Sequence, residues 1–398
     1  MDQHAGGRLG IALVGMGGAV ATTAIAGIEL IRSGANRLDG LPLADVSVPG
    51  LADYRDIVFG GWDVNGDDLA AAAAQHGVLS GELLSNGVSE ALAAQKPWKA
   101  VGSSHYCRNI DGANKIEAGG HRRAVELIAA DLASFRRESG ADQMVVVNLA
   151  STERWPDLDA PALGSLQAFE RGLDADDAAI GPAMLYAYAA LASGVAYANF
   201  TPSVAADVPA LVELAAARNV PVAGKDGKTG QTMMKTVIAP ALRSRALHVD
   251  GWFSTNILGN RDGLALDDPD SLRSKLNTKG SVLDQILGYP VEDHIVDIRY
   301  YRPRGDDKEA WDNIDVTGFM GQRMQIKVNF LCKDSILAAP LVIEIARVLG
   351  LAQARGDGGV QEQLSVFFKA PMVANGHGPE HAFHAQERML LDWLAAGR

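Results

Sequence analysis

The chain has 398 residues, 47% hydrophobic and 21% charged, a balance that supports a substantial buried core and excludes intrinsic disorder. Its formal charge of -12 argues against a general nucleic-acid or anionic-membrane surface, because both need exposed Lys and Arg in excess. Cys107 and Cys332 are too few for a disulfide framework and lack zinc-type spacing, so a reducing cytoplasm is expected, with no signal peptide and no membrane span.

Residues 8–15 (RLGIALVG) read as a buried strand running into a glycine turn, and residues 19–33 have helical composition. The turn is Gly15-Met16-Gly17-Gly18-Ala19, placed where backbone N–H groups and a helix N-terminus hold a dinucleotide pyrophosphate. Val20 occupies the third position of the usual G-x-G-x-x-G pattern, so the generic fingerprint is incomplete. Residues 56–63 (DIVFGGWD) form the next strand, ending on Asp63, a carboxylate placed to bind the adenine ribose and to favour NAD over NADP.

Helices are predicted over 69–76, 89–94 and 121–137, and residues 142–150 (DQMVVVNLA) are the clearest buried strand. Ala150, Ser151 and Thr152 follow its ligand-side end. A helix over 183–194, a strand over 195–199 leading from Asn199 into Thr201, a helix over 207–218 capped by Asp207, and a strand over 220–223 complete the alternation. The expectation is an α/β chain: a Rossmann-type, doubly wound parallel sheet, with a second α+β domain for catalysis and oligomerisation. Strand-like alternation at 294–301 and 322–331 gives that second domain a mixed sheet, and 336–349 returns to helix. The domain division is 1–232 completed by 338–398, with 233–337 between.

Polar residues gather inside apolar surroundings at 224–232 (GKDGKTGQT), 256–263 (NILGNRDG), 273–279 (RSKLNTK) and 305–308 (GDDK), which together look like an anion site. Lys369 stands in FFKAP, where a lysine must be paired, deprotonated or led out to water. Asp334 either caps the helix that follows or faces the site.

The order of these motifs, with Gly61-Trp62-Asp63, Asn148 to Glu153 (NLASTE) and Cys332-Lys333-Asp334-Ser335, resembles the myo-inositol-1-phosphate synthase family over nearly the whole chain. The resemblance implies an NAD-dependent sugar-phosphate cyclase. It would oxidise C5 of open-chain glucose 6-phosphate, enolise C6, close the ring on C1 by an aldol step and re-reduce with retained NADH.

By match to the family's motifs, Lys275 serves proton transfer at C5, Lys369 assists the alkoxide, and Lys279 and Lys308 face phosphate or enolate. Asp226, Asp306 and Asp334 orient lysines or hydroxyls, with Asp226 and Asp306 also beside the cofactor. Thr229-Gly230-Gln231-Thr232 resembles the phosphate cradle, while Asn256, Asn260 and Asp262 fall on the substrate- and cofactor-facing motif. Ile257 stands where many relatives carry histidine. The same chemistry on fructose 6-phosphate, giving a five-membered cyclitol phosphate, therefore stays open beside a net NAD-dependent dehydrogenase of a phosphorylated sugar. The resemblance also implies a homotetramer joined through the second sheet. Some relatives use a divalent and others a monovalent cation, and no ligand set here decides between them.

Overall fold

The computed structural model describes residues 6–85, 87–102, 105–259, 282–374, 376 and 378–397. Six strands open the chain: β1 (Leu9–Val14), β2 (Ile57–Asp63), β3 (Trp98–Lys99), β4 (Gln143–Asn148), β5 (Ala196–Asn199) and β6 (Pro221–Gly224). Between and after them run α1 (Ala19–Arg32), α2 (Leu69–His76), α3 (Val88–Ala93), α4 (His121–Ser139), α5 (Leu166–Asp174), α6 (Pro182–Ala192), α7 (Pro209–Arg218) and α8 (Gln231–Ser244). All six β1 side chains are buried, which is why this strand reads as a continuous apolar run rather than an alternation. Its odd positions, Leu9, Ile11 and Leu13, pack into one core and its even positions, Ala12 and Val14, into the other.

A second sheet follows, made of β7 (His248–Leu258), β8 (Asp293–Tyr300), β9 (Asp307–Thr317) and β10 (Arg323–Lys333), with α9 (Val282–Leu287) between β7 and β8. The chain then returns through α10 (Asp334–Arg355) and β11 (Gly359–Val360) to α11 (Phe383–Ala396). The first sheet is parallel throughout, in the order β11-β6-β5-β4-β1-β2-β3. The second is mixed, in the order β10-β9-β7-β8, with β9 antiparallel to both neighbours and β7 parallel to β8. The strand order reverses between β1 and β4, where an open α/β sheet leaves a crevice at its carboxyl ends.

One detail differs from the sequence expectation, and one alternative left open there is decided. Asp207 does not cap α7, which starts behind Val208 without a side-chain cap; its carboxylate instead takes the Ala205 N–H and pairs with Lys225 at 2.6 Å. Asp334 does not cap α10 either. It is the first residue of that helix, and Asp306 does the capping by accepting from Ser335 N at 3.1 Å and Ser335 Oγ at 2.6 Å.

By length and composition α10 could cross a membrane, yet most of it is buried within this fold. It packs against α1, β4 and β5 as a core helix, with Glu344 and Arg347 paired inside it.

Candidate active site

The glycine turn is built by close contacts that leave no room for side chains. Gly15 has φ of +88°, and a Cβ there would lie 3.1 Å from the backbone of Leu149 and Ala150. Gly17 donates its N–H to Asp63 Oδ2 at 2.8 Å, and Asn65 N donates to Oδ1 at 2.9 Å. Asp63 therefore ties the turn to the end of β2. His76 in the last turn of α2 reaches the Gly17 carbonyl at 2.8 Å.

Gly18 precedes α1 without a side-chain cap, and the first turn of the helix contains no acidic residue. Ala19, Val20 and Ala21 line the cleft, so the unpaired N–H groups of a 14-residue helix open onto it. That arrangement suits a pyrophosphate.

The cleft, an open space of about 1670 Å³, joins this turn to the second half of the chain. Asp63, Ala150, Ser151, Thr152 and Thr201 line it, and so do Asp226, Thr229, Lys308, Asp334 and Lys369. Two ion pairs sit in its wall, one buried and one partly exposed at Asp334. Lys369 Nζ donates to Asp226 Oδ1 at 2.7 Å, and Lys308 Nζ lies 3.4 Å from Asp334 Oδ1. Thr229 Oγ1 donates to the same Asp334 oxygen at 2.9 Å.

The first pair is held by backbone. Residues 367–372 run beside 224–228 as a short antiparallel ladder, in which Lys369 N donates to Asp226 O at 2.7 Å and Lys228 N to Phe367 O at 2.8 Å. Gly227 makes the approach possible, because a Cβ there would fall 2.1 Å from the Phe200 ring. The second pair rests on sheet register: Lys308 on β9 opposes Cys332 on β10, and α10 begins two residues later.

Other candidates sit behind this wall. Asn199 is buried without lining the cleft; its Oδ1 accepts from Asn148 Nδ2 and Thr201 Oγ1, and its Nδ2 donates to the Ser203 carbonyl at 2.7 Å. Asp306 is likewise occupied by Ser335. Gly230, Gln231, Thr232 and Asn256 flank the cleft at the start of α8 and on β7 without lining it.

Neither Lys225 nor Lys228 of the 224–232 segment lines the cleft. Lys225 pairs with Asp207. Lys228 turns towards α11, donates to Gln386 Oε1 and lies over Phe383, and burial pulls its pKa down to about 7. Lys275, Lys279, Asn260 and Asp262 lie outside the described residues. Among the described residues, no three His, Cys, Asp or Glu side chains gather as metal ligands.

Ile257 lies on β7 next to Asn256, so its side chain projects to the opposite face of the sheet.

The sequence profile of the myo-inositol-1-phosphate synthase family matches residues 41–395. The chain belongs to this family. It is 43% identical to inositol-3-phosphate synthase 1 of Bacteroides thetaiotaomicron, over 98% of this chain and 96% of that one. Its fold superposes on the crystal structure of inositol-3-phosphate synthase from Caenorhabditis elegans with a TM-score of 0.90 at 26% identity, covering 98% of this chain and 86% of the other. A myo-inositol-1-phosphate synthase-related protein from Thermotoga maritima gives a TM-score of 0.80 at 25% identity, over 97% and 98% of the two chains. The chain is thus an isomerase of inositol-3-phosphate synthase type with NAD as its cofactor, and the uncapped α1 terminus, the glycine turn and Asp63 suit that group.

Within this family member, the buried Lys235 and Asp312 carry no signal in a single sequence beyond their residue type, and Glu153 carries none beyond its place in NLASTE. Lys235 lies one turn along α8 from Gln231, over the Trp252 ring and 2.9 Å from His294 Nε2; burial pulls its pKa down to about 8, against the pull of the Asp312 charge. Asp312 is 2% exposed on β9. Glu153, the last residue of NLASTE, lines the cleft and accepts from Ala183 N at 2.9 Å in the first turn of α6.

Burial pushes the Glu153 carboxyl up to about 8, opposed by the Ala183 N–H and the Arg154 charge. The folded state then holds a proton between pH 4.5 and 8 that the unfolded chain has released, so this group's stabilisation is lost as pH rises through that window. Glu153→Gln keeps an acceptor for Ala183 N without the titration. Thermal melts of both proteins at pH 6 and pH 9 should show the variant gaining on the wild type at the higher pH; an equal difference at the two values would contradict the assignment.

Proposed function

We propose that this enzyme converts glucose 6-phosphate to a myo-inositol phosphate, with residues 1–232 and 338–398 holding the cofactor and contributing Asp226 and Lys369, and 233–337 contributing Lys308 and Asp334. The observation that carries the reading is the meeting of two lysine–carboxylate pairs, Lys369 with Asp226 and Lys308 with Asp334, in the same cleft as the dinucleotide turn.

NAD, held by the glycine turn and Asp63, would supply the hydride acceptor for oxidation at C5 of the open-chain sugar and the hydride for the later reduction. Lys369, oriented by Asp226, holds its ammonium against the alkoxide that develops at C5, while Lys275, by the family motif, takes the hydroxyl proton and gives it back when the ketone is reduced. Lys308 lies against Asp334, which also accepts from the Thr229 hydroxyl, and its ammonium stabilises negative charge on the C5 oxygen when C6 loses its proton. The resulting C6 nucleophile attacks the C1 aldehyde, and the C1 oxygen takes up the proton released from C6. The start of α8, with Thr229 and Gly230 before it, receives the phosphate on backbone N–H groups and a hydroxyl. Lys275 and Lys279 keep the proton-transfer and phosphate roles carried over from the family motif.

A homotetramer joined through the second sheet fits the same reading. The sheet face away from α8 carries Phe253, Ile295 and Leu331, exposed by 37%, 49% and 59%, and an apolar face of that kind favours a protein contact.

Incubation with NAD and glucose 6-phosphate should yield a periodate-sensitive cyclitol phosphate without accumulation of NADH, its ring size read by NMR. Fructose 6-phosphate run in parallel tests the five-membered alternative. Stoichiometric NADH release would replace the cyclase with a net dehydrogenase.

A further inference from the structure

Asp312 lies behind the substrate-facing residues and touches nothing in the cleft, yet it sits at the head of a chain of hydrogen bonds with only one allowed direction. Its Oδ1 accepts from Trp252 Nε1 at 2.7 Å and from Ser254 Oγ at 2.6 Å, and its Oδ2 accepts from Gln231 Nε2 at 3.2 Å. The Thr255 carbonyl, another pure acceptor, lies 3.5 Å from the same Gln231 nitrogen. An ionised carboxylate only accepts, so the Gln231 amide cannot turn over. Its Oε1 must then face Asn256, which donates to it through Nδ2.

That constraint passes to Asn256. Its Nδ2 is committed to Gln231, and its Oδ1 is buried with no hydrogen-bond partner among the described residues. Asn256 is 2% exposed, and a buried acceptor without a donor costs as much as a lost hydrogen bond unless something arrives to fill it. Sheet register places it beside the reacting groups. Asn256 opposes Ala310, and Ser254 opposes Asp312, so these residues share the inner face of β7 and β9 with Lys308, two positions beyond Ala310.

We infer that Asp312 is a positioning residue that sets the polarity of the Gln231–Asn256 amide pair, so that Asn256 presents an acceptor to a hydroxyl of the sugar. The inference rests on the sugar-phosphate reading above and deepens it. The group recognised is a hydrogen-bond donor, which a fully ionised phosphate does not offer and a sugar hydroxyl does.

Asp312→Asn tests the direction of the chain with almost no change in volume. Trp252 is a donor only, so the new amide must turn its oxygen to Trp252 and its NH2 to Gln231. Gln231 then flips, Asn256 flips in turn, and an NH2 group faces the sugar hydroxyl where an oxygen stood. The KM for glucose 6-phosphate should rise by about 10- to 100-fold, the cost of a mismatched buried donor–acceptor contact. NAD affinity should stay at the wild-type value. Adding Asn256→Asp to Asp312→Asn restores an acceptor towards the sugar while still accepting from the flipped Gln231, so the double variant should recover most of the lost KM.

Loss of packing alone predicts no such recovery. An unchanged KM in Asp312→Asn, or no rescue in the double variant, overturns the inference while leaving the cyclase reading in place; a wild type that cyclises no hexose phosphate overturns both. Should Asp312→Asn fail to fold, Ser254→Ala decides. It strips one donor from Asp312 Oδ1 and loosens its hold on Gln231, so KM should rise by about threefold with NAD affinity unchanged, and no rise overturns the inference.

Discussion

Lys369→Met should lower turnover of glucose 6-phosphate by about two to three orders of magnitude, the scale on which a preorganised charge at a developing oxyanion contributes, and should also destabilise the fold. Both effects follow from one contact. Lys369 and Asp226 are 7% and 3% exposed and 2.7 Å apart, so removing the amine strands a carboxylate inside the protein, at about 3–5 kcal/mol.

The two effects are separable because a stranded charge can be neutralised. Asp226→Asn combined with Lys369→Met replaces the ion pair by an amide and an apolar chain of similar volume, and replacement of a whole buried pair is often close to neutral. The double variant should therefore regain most of the thermal stability lost by Lys369→Met while remaining as inactive. Recovery of activity along with stability would mean that Lys369 acts only as a structural counter-ion. Single-turnover hydride transfer, followed by absorbance of the bound cofactor, locates the defect: the C5 alkoxide develops during oxidation, so the first hydride transfer should slow as much as the full cycle.

The parallel sheet was legible in the sequence because its strands are buried on both faces and read as unbroken apolar runs, as in Leu9–Val14 and the core of Gln143–Asn148. The second sheet was legible only in part. β9 alternates in the structure, with Lys308, Ala310, Asp312, Ile314 and Val316 facing inward, but two of these five are charged, and a period-2 search for apolar residues fails on them. The residues that hide the strand are the ones that make it chemical.

Something similar limits the reading of the site. Spacing and family motif single out Lys369 and Asp226, separated by 143 positions, but they do not reveal that a backbone ladder holds the two together. Nor do they distinguish a group in the cleft wall from one that braces it. Asn199 and Asp306 stand at the expected strand and loop ends, yet their hydrogen bonds point to Asn148, Thr201 and Ser335. Side-chain direction at a loop is set by whichever neighbour offers a partner, and that neighbour is distant in sequence.

Arg347→Met should be the most destabilising single change outside the cleft. Glu344 is fully buried and accepts from Arg347 Nη1 at 2.6 Å, Tyr54 Oη at 2.6 Å and Leu43 N at 3.2 Å. Arg347 also donates to the Ala52 carbonyl at 2.8 Å and lies 3.9 Å over the Tyr54 ring. Burial, reinforced by the Glu344 charge, holds the Tyr54 phenol well above its ordinary pKa, so it remains a donor to the carboxylate. These contacts fasten the segment between α1 and β2 onto α10, a connection of nearly 300 positions.

Without Arg347, two neutral donors face a buried carboxylate that has lost its counter-charge, at about 3–5 kcal/mol. For a chain of this length that corresponds to a drop of roughly 4–6 °C in melting temperature. Glu344→Gln with Arg347→Met removes both charges and leaves an acceptor for Tyr54 and Leu43, so it should melt closer to the wild type than Arg347→Met does. NAD affinity and KM of the folded Arg347→Met protein should be unchanged, since neither residue lines the cleft. Melting curves that rank the double variant below Arg347→Met would show that Glu344 tolerates its burial without the guanidinium, and would assign the fastening of α10 to packing of the apolar side chains around Leu43 and Tyr54 instead.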